Sequence, residues 1–209
     1  MAGREVRQCQ PGGEERLYIP IQPTTPPAKR PARYSGPMRA VRVGVLADTH
    51  GLLRPRVLER LAGCEILLHA GDVGEPAVLA ALAALAPVRA VRGNVDGGEL
   101  AALPLLLEGE IAGLPYGMTH RREDVPPAWA KTARLVIFGH SHRPEMQWQG
   151  DCLFLNPGAC GPRRFSLPLT VALLTAEGNR LVPEILAVEE RGPPTGAARP
   201  APPARARPG

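Results

Sequence analysis

Histidines, aspartates and one asparagine stand where apolar runs of this sequence stop. They are Asp48, His50, Asp72, Asn94, His120, His140 and His142. Imidazoles and carboxylates are ligands of borderline divalent metals such as Mn²⁺, Zn²⁺, Fe²⁺ and Ni²⁺, whereas Mg²⁺ and Ca²⁺ prefer oxygen ligands. Seven ligands are too many for one tetrahedral ion, but they suit two ions that share a carboxylate. The pattern therefore predicts a two-metal centre.

Each segment alone has a plainer interpretation. A glycine followed by Asp72 or by Asn94 is typical of a turn, and an Asp-x-His segment such as 48–50 is typical of a turn or a helix cap. Segment 139–142, Gly-His-Ser-His, is the most specific, because two imidazoles at a strand end can reach neighbouring positions. The five segments together are far more specific than any one. His69 lies inside a predicted strand, where we expect a core residue or a partner that orients a metal ligand.

Strands and helices must bring these residues together. The periodicity predicts strands over 39–47, 65–69, 88–91, 103–107, 110–111, 114–119, 134–138, 145–148, 152–155, 169–175 and 180–186. It predicts helices over 54–61, 75–86 and 126–132. This order favours an α/β domain with outer helices and either one mixed sheet or two sheets packed face to face. Ligands bind at the carboxyl ends of strands in such domains, so the polar segments are expected to meet there.

The charge of the 209-residue chain lies mainly in two proline-rich tails. Residues 1–37 carry a net charge of +3 and residues 191–209 carry +4, which leaves −2 for residues 38–190 in a chain of +5. We expect one folded domain over 38–190 and disordered tails on either side. A native start at Met38 is the alternative for the first tail. The acidic balance of the domain argues against a nucleic-acid partner.

The compartment is predicted from what the chain contains. No run near the N-terminus has the pattern of a signal peptide, and the most apolar stretch, 77–88, is far too short to span a membrane. Cys9, Cys64, Cys152 and Cys160 form no CxxC pair and are expected to be free thiols. We therefore expect a cytoplasmic protein without a membrane segment. The sequence does not indicate the oligomeric state.

Five ordered segments resemble a known superfamily. They are 46–51 (LADTHG), 69–72 (HAGD), 92–96 (RGNVD), 139–144 (GHSHRP) and 156–158 (NPG). Over about residues 38–190 the chain resembles the calcineurin-like metallophosphoesterases, and within them the small YfcE-type phosphodiesterases of bacteria and archaea. The resemblance implies a four-layer αββα sandwich. It also implies two divalent metal ions, with Mn²⁺ ahead of Ni²⁺, Zn²⁺ and Fe²⁺.

The resemblance also implies a role for each polar residue. Asp48, His50 and His142 would hold one ion, Asp72 would bridge, and Asn94, His120 and His140 would hold the second. Hydroxide held by the two ions would attack the phosphorus atom, so no protein nucleophile is needed.

Two positions depart from the family pattern. Many members of the superfamily have a histidine after the Gly-Asn pair that protonates the leaving group, whereas this chain has Val95. The usual His-Gly-His segment is His120-Arg121-Arg122, in which Arg121 or Arg122 could contact a phosphate. Arg121, together with Asn94, is the substrate-binding candidate.

The sequence therefore predicts a metal-dependent phosphodiesterase that acts on a small or activated phosphate diester. The alternative is a scaffold that binds a protein partner, as the retromer subunit of this superfamily does. The complete set of ligand residues favours the enzyme. A nuclease is a minor third option, since the domain lacks a basic face.

Overall fold

Two five-stranded sheets form the centre of the molecule, in a computed structural model that describes residues 39–164 and 166–188. The first sheet contains β1 (Val41–Leu46), β2 (Ile66–His69), β3 (Val88–Ala90), β9 (Thr170–Glu177) and β10 (Arg180–Ala187), in the spatial order β10-β9-β1-β2-β3. The second contains β4 (Leu106–Ile111), β5 (Leu114–Thr119), β6 (Leu135–Ile137), β7 (Glu145–Gln149) and β8 (Cys152–Asn156), in the order β4-β5-β6-β8-β7.

Each sheet is mixed: β9 alone runs against the other strands of the first sheet, and β4 and β7 run against the other strands of the second. Strands β1, β2 and β3 are parallel to one another, and so are β5, β6 and β8. Their ends are level, since Leu46 pairs with His69 and His69 pairs with Ala90. The carboxyl ends of three strands in each sheet therefore reach one edge together.

The main core lies between the two sheets. Strand β6 shows how it forms, because its Leu135 and Ile137 pack in this layer while Val136 points to the other face of the sheet, and all three are buried. Side chains alternate between the faces of a strand. A strand buried on both faces must be apolar throughout, which explains the continuous apolar run that predicted β6.

Three helices cover the outer faces: α1 (Pro55–Leu61), α2 (Pro76–Ala83) and α3 (Trp129–Thr132). Both α1 and α2 begin with proline at the first turn, where a missing N–H costs no hydrogen bond, and they pack on the first sheet. The third helix places Trp129 on the second sheet. The helix–sheet–sheet–helix order confirms the predicted four layers and excludes a single mixed sheet.

Some predicted boundaries were wrong. The strands predicted over 103–107 and 110–111 form one strand, β4, with Gly109 inside it. A Cβ at Gly109 would lie 2.8 Å from the Oη atom of Tyr116 and 2.7 Å from the Nη1 atom of Arg89, so this glycine permits a close approach and does not break the strand. The helix predicted over 75–86 ends at Ala83. The helix predicted over 126–132 begins only at Trp129, after two consecutive prolines.

The structure tests only some of the predictions on the tails, the domain limits, the cysteines and membrane segments. The tails and Cys9 lie outside the described residues, and the domain limits 38–190 stay a prediction. Cys64, Cys152 and Cys160 are buried free thiols, as predicted. Burial raises the pKa of Cys152 to about 11 and that of Cys160 to about 12, so both stay protonated at neutral pH.

None of the helices in the described part of the chain is long and apolar enough to cross a membrane.

We expect Leu153→Ala to lower the free energy of unfolding by about 2–5 kcal/mol, because it leaves a cavity between the sheets at a fully buried position. Leu85→Ala is the matched control, since Leu85 is 42% exposed, and its effect should stay within about 0.5 kcal/mol. Urea denaturation followed by circular dichroism measures both. Equal losses would contradict the assignment of the main core.

Candidate metal centre

All seven sequence-predicted ligands lie at the shared carboxyl edge of the two sheets. Loops after β1, β2 and β3 supply four of them, Asp48, His50, Asp72 and Asn94. Loops after β5 and β6 supply His120, His140 and His142. Six of the seven form two groups of three whose ligand atoms lie within 4.8 Å of one another. The structure thus brings together residues that are up to 94 positions apart in the sequence.

The first group is Asp48, His50 and His142. The Nε2 atom of His142 lies 3.2 Å from the Nε2 atom of His50 and 3.3 Å from the Oδ1 atom of Asp48. Asp48 is fully buried, and its Oδ2 atom accepts a hydrogen bond from the His140 N–H at 3.1 Å. Its Oδ1 atom is buried without a hydrogen-bond donor. An unpaired buried carboxylate oxygen is costly, so a cation beside this atom would stabilise it.

The second group is Asp72, His120 and His140, with Asn94 beside it. The Nδ1 atom of His120 lies 2.8 Å from the Ala70 carbonyl oxygen, which can only accept, so Nδ1 carries the hydrogen. The Nε2 atom is then left with its lone pair. It faces the Oδ1 atom of Asn94 at 3.1 Å and the Oδ1 atom of Asp72 at 3.3 Å. His140 completes the group with its ring edge-on to that of His120, at a centroid distance of 5.1 Å.

Asp72 lies between the groups. Its Oδ1 atom faces His120, while its Oδ2 atom lies 3.9 Å from the Nε2 atom of His50. Burial acts to raise the pKa of Asp72, but hydrogen bonds from a protonated His120 ring and from the Val95 N–H outweigh it and lower the pKa to about 2. Asp72 is therefore a carboxylate at neutral pH, with one oxygen directed to each group.

The charges of the histidines follow from burial and from these contacts. Burial lowers the pKa of His50. Burial also acts to lower the pKa of His120, but the hydrogen bonds with Asp72 and Ala70 outweigh it and raise the pKa. The added proton would sit where the Nε2 lone pair meets the oxygens of Asp72 and Asn94. The lone pair of Nε2 and the two oxygens repel one another when no proton lies between them. A divalent cation at that point would relieve this repulsion, so the donor set fits a metal ion.

Five of the seven residues adopt a strained backbone. Their φ angles are 55° at Asp48, 45° at His50, 54° at Asp72, 67° at His140 and 57° at His142. Non-glycine residues are uncommon at such angles, and Ala112, in the turn between β4 and β5, is the only other one among the described residues. Strain of this kind clusters at functional sites and persists where the surrounding structure enforces it.

Glycines let the loops approach one another. A Cβ at Gly93 would lie 2.1 Å from both the backbone N atom and the Oδ1 atom of Asp72. A Cβ at Gly139 would lie 3.0 Å from the Oδ2 atom of Asp48. Glycine is therefore required at position 93 for space, and this requirement holds Asn94 close to Asp72.

Sequence reasoning missed two residues that hold these loops. The Oδ1 atom of Asp96 accepts from the Gly74 N–H at 2.9 Å and its Oδ2 atom accepts from the Gly93 N–H at 2.8 Å, which ties the loops after β2 and β3 together. Asn156 donates to the Gly139 carbonyl oxygen at 2.8 Å and so supports the loop after β6. Asp96 lies in segment 92–96 and Asn156 lies in segment 156–158, which are two of the segments that resemble the superfamily. Their position in these segments was the one sequence feature that could have identified them.

His69 acts as predicted, outside both groups. Its Nε2 atom lies 2.9 Å from the Oγ1 atom of Thr49, which in turn donates to the Val73 carbonyl oxygen. Burial lowers the pKa of His69 to about 4, so it is neutral at pH 7. The Thr49 contact links β2 to the loop that carries Asp48 and His50.

The exposed side of the centre is formed by Asn94 and His140, which are both exposed. Beside Asn94, a cavity of about 250 Å³ is also lined by Arg121. Arg122 points elsewhere, over the rings of Phe138 and Phe154 on the outer face of the second sheet. Of the two arginines in the His-Arg-Arg segment, only Arg121 lines this cavity.

Comparisons with known proteins agree with this architecture. The sequence model of the calcineurin-like phosphoesterase superfamily domain matches residues 41–179. A probable metallophosphoesterase of Methanothermobacter thermautotrophicus is 32% identical over 157 residues, which cover 69% of this chain and 91% of that protein. These matches confirm the superfamily that the sequence resembles.

Solved structures share the fold. Vacuolar protein sorting 29 of Cryptosporidium parvum aligns with a TM-score of 0.64 at 19% identity, covering 72% of this chain and 93% of the other. An archaeal phosphodiesterase aligns with a TM-score of 0.60 at 24% identity, covering 70% and 100%. The YfcE phosphoesterase of E. coli aligns with a TM-score of 0.53 at 21% identity, covering 71% and 100%.

We expect Gly93→Ala to disrupt the second ligand group, because its Cβ would collide with the backbone and the carboxylate of Asp72. Gly97→Ala is the control in the same loop, since nothing lies within 4 Å of a Cβ there. Calorimetric titration with Mn²⁺ should show weaker binding for Gly93→Ala by at least about 10-fold, as for the loss of groups that orient ligands. Unchanged binding in Gly93→Ala would contradict this close approach.

Proposed function

This chain belongs to the calcineurin-like phosphoesterase superfamily and is a metallophosphoesterase, and we propose that it hydrolyses a small or activated phosphate diester with the aid of two divalent metal ions. The single observation that carries the proposal is the pair of ligand groups, with Asp72 of the second group lying between them and directing one oxygen towards His50 of the first. Two neighbouring metal sites with a carboxylate between them suit an in-line displacement at phosphorus.

The residues divide the work of the site. Asp48, His50 and His142 would hold one ion, and Asn94, His120 and His140 the other, with Asp72 between them. Two bound ions supply a nucleophile at neutral pH and stabilise charge on the attacking and leaving oxygens. The buried carboxylates and the strained loops keep the ligands in place before substrate arrives, and this preorganisation favours the transition state. Asn94 and His140 leave the substrate side open.

The substrate class follows from position 95. Val95 has no proton to donate, and the nearby Asp96 carboxylate is held by two backbone N–H groups. Among the described residues that line the cavity, His120 is the only histidine, and it belongs to the ligand group. The leaving group must therefore depart without protonation by a general acid. This favours esters of acidic alcohols or phenols as substrates.

The metal and the compartment complete the proposal. Mn²⁺ is the first choice, and Ni²⁺, Zn²⁺ and Fe²⁺ suit the same imidazole and carboxylate ligands. Three buried free thiols are compatible with the reducing cytoplasm, where we place the protein.

A scaffold that binds a protein partner is the second candidate. The alignment with vacuolar protein sorting 29 favours it, since that protein shares the fold with a TM-score of 0.64. The enzyme is preferred because every ligand position is occupied by a residue that can bind a metal.

We expect metal-stripped protein to be inactive towards bis-p-nitrophenyl phosphate and to regain activity when Mn²⁺ is added. Asp72→Asn should lower the activity by more than about 100-fold, because losses of outer partners of metal ligands already cost 10–100-fold. Asp151→Asn is the matched control, since the side chain of Asp151 is 54% exposed and pairs with Arg134. Release of p-nitrophenolate is the measurement.

One outcome would contradict the proposed enzymatic activity, and another would contradict the role of Asp72 in it. No hydrolysis with Mn²⁺, Ni²⁺, Zn²⁺ or Fe²⁺ by protein that binds them would favour the scaffold. Equal activity of Asp72→Asn and the wild type would exclude this carboxylate from the reaction.

We expect Val95→His to extend the range of leaving groups. Val95 is 48% exposed, so a larger ring fits without displacing the core. General acid catalysis is worth about 10²–10⁴ in rate. Val95→His should therefore raise kcat/KM for diphenyl phosphate more than for bis-p-nitrophenyl phosphate, whereas Val95→Ala should raise neither. Equal effects of Val95→His on the two substrates would refute the role assigned to position 95.

A further inference from the structure

A cavity of about 250 Å³ opens beside the second ligand group. Its lining includes Arg92, Asn94, Leu105, His120, Arg121 and Asp124. Asn94 and His120 belong to the ligand group, so the cavity continues directly from the position where a phosphate diester would bind. One arm of the substrate must therefore pass into it or along its rim.

Arg121 is one of the residues that line this cavity. Within residues 39–164 and 166–188, its side chain makes no hydrogen bond or ion pair. Its neighbour Arg122 differs, because it binds Glu145 and Gln147 and stacks over Phe138. Adjacent arginines thus have distinct roles. Arg122 is fixed within the fold, whereas Arg121 keeps the planar set of donors that suits a phosphate.

Arg92 supplies a second guanidinium from the opposite loop. Its backbone N–H donates to the Pro104 carbonyl oxygen at 2.8 Å, and its Nη1 atom donates to the Ala101 carbonyl oxygen at 3.3 Å. These bonds hold the side chain at the cavity wall and leave further N–H donors available. The two arginines come from the loops after β3 and β5, so they face the cavity from different sheets.

The charge balance of the cavity favours an anion. Asp96 is buried, and both of its oxygens accept backbone N–H groups, so its charge is already compensated. Asp124 is the one exposed carboxylate in the lining. Two guanidinium groups therefore face one uncompensated carboxylate, and bound metal ions would add more positive charge next to Asn94.

We propose that this cavity binds a second phosphate group, carried by one arm of the diester substrate and held by Arg92 and Arg121. The inference rests on the proposed function, since it names the substrate that the phosphodiesterase prefers. Leu105 is exposed and also lines the cavity, so it offers the arm an apolar contact.

Two chromogenic diesters test the preference. Thymidine 5′-(p-nitrophenyl phosphate) and its 3′-phosphorylated counterpart differ only in the second phosphate. We expect the Mn²⁺-loaded wild type to show a KM at least about 10-fold lower for the 3′-phosphorylated ester, because a hydrogen bond to a charged group is worth about 1.5–3 kcal/mol. The values of kcat should differ much less.

Variants assign the preference to the cavity. Arg92→Gln and Arg121→Gln should each move the ratio of the two KM values towards one. Asp124→Asn should increase the ratio, because it removes the opposing carboxylate. Arg180→Gln is the control, since Arg180 is exposed on the edge strand β10 at the end away from the ligand groups, and it should keep the wild-type ratio.

Binding separates this inference from the proposed function. Calorimetric titration of the Mn²⁺-loaded protein compares thymidine 3′,5′-bisphosphate with thymidine 5′-monophosphate, and it needs no hydrolysis. Tighter binding of the bisphosphate that is lost in Arg92→Gln and Arg121→Gln supports the inference even where neither ester is hydrolysed. Equal affinities in the wild type, or a preference that survives both substitutions, would overturn it, while hydrolysis of both esters would still support the diesterase.

Discussion

Electron-pair acceptors crowd together at one edge of this protein, and the rest of the structure holds them there. Asp48 Oδ1 faces two imidazole nitrogens without a donor, and the Nε2 lone pair of His120 faces two oxygens. In water such groups would turn apart and bind solvent. They stay together because the surrounding structure fixes their loops, and five of the seven residues adopt left-handed backbone conformations, each of which costs on the order of 1–3 kcal/mol.

The layer between the sheets supplies the rigidity for this arrangement. Six parallel strands end at the same edge, so loops from both sheets meet there. Within the first sheet, Asp96 ties the loops after β2 and β3 together through backbone N–H groups. Within the second, Asn156 supports the loop after β6 through the Gly139 carbonyl group. The apolar packing takes no part in the chemistry, but the metal centre depends on it. A shift of one sheet against the other would separate the ligands.

Much of this could be predicted from the sequence, for physical reasons. The buried strands are apolar throughout, so β6 and β8 are visible as continuous runs, and polar residues mark their ends. The features that could not be predicted depend on contacts between residues that are not neighbours in the sequence. Gly109 looked like a break between two strands because its contact with Tyr116 is not local. Asp96 was assigned no role from the sequence, because its two partners, the Gly74 and Gly93 N–H groups, are 22 and 3 positions away.

The ligand groups each combine residues from both sheets. Asp48 and His50 come from the first sheet and His142 from the second, while Asp72 comes from the first sheet and His120 and His140 from the second. Any ion held by either group would therefore act as a cross-link between two sheets that also meet through side-chain packing and through hydrogen bonds such as the one from the His140 N–H to Asp48. Such a link couples occupancy to resistance against unfolding, because a ligand that binds only the folded state stabilises it by mass action. The supply of metal in the surroundings would then govern the lifetime of the folded chain as well as its turnover.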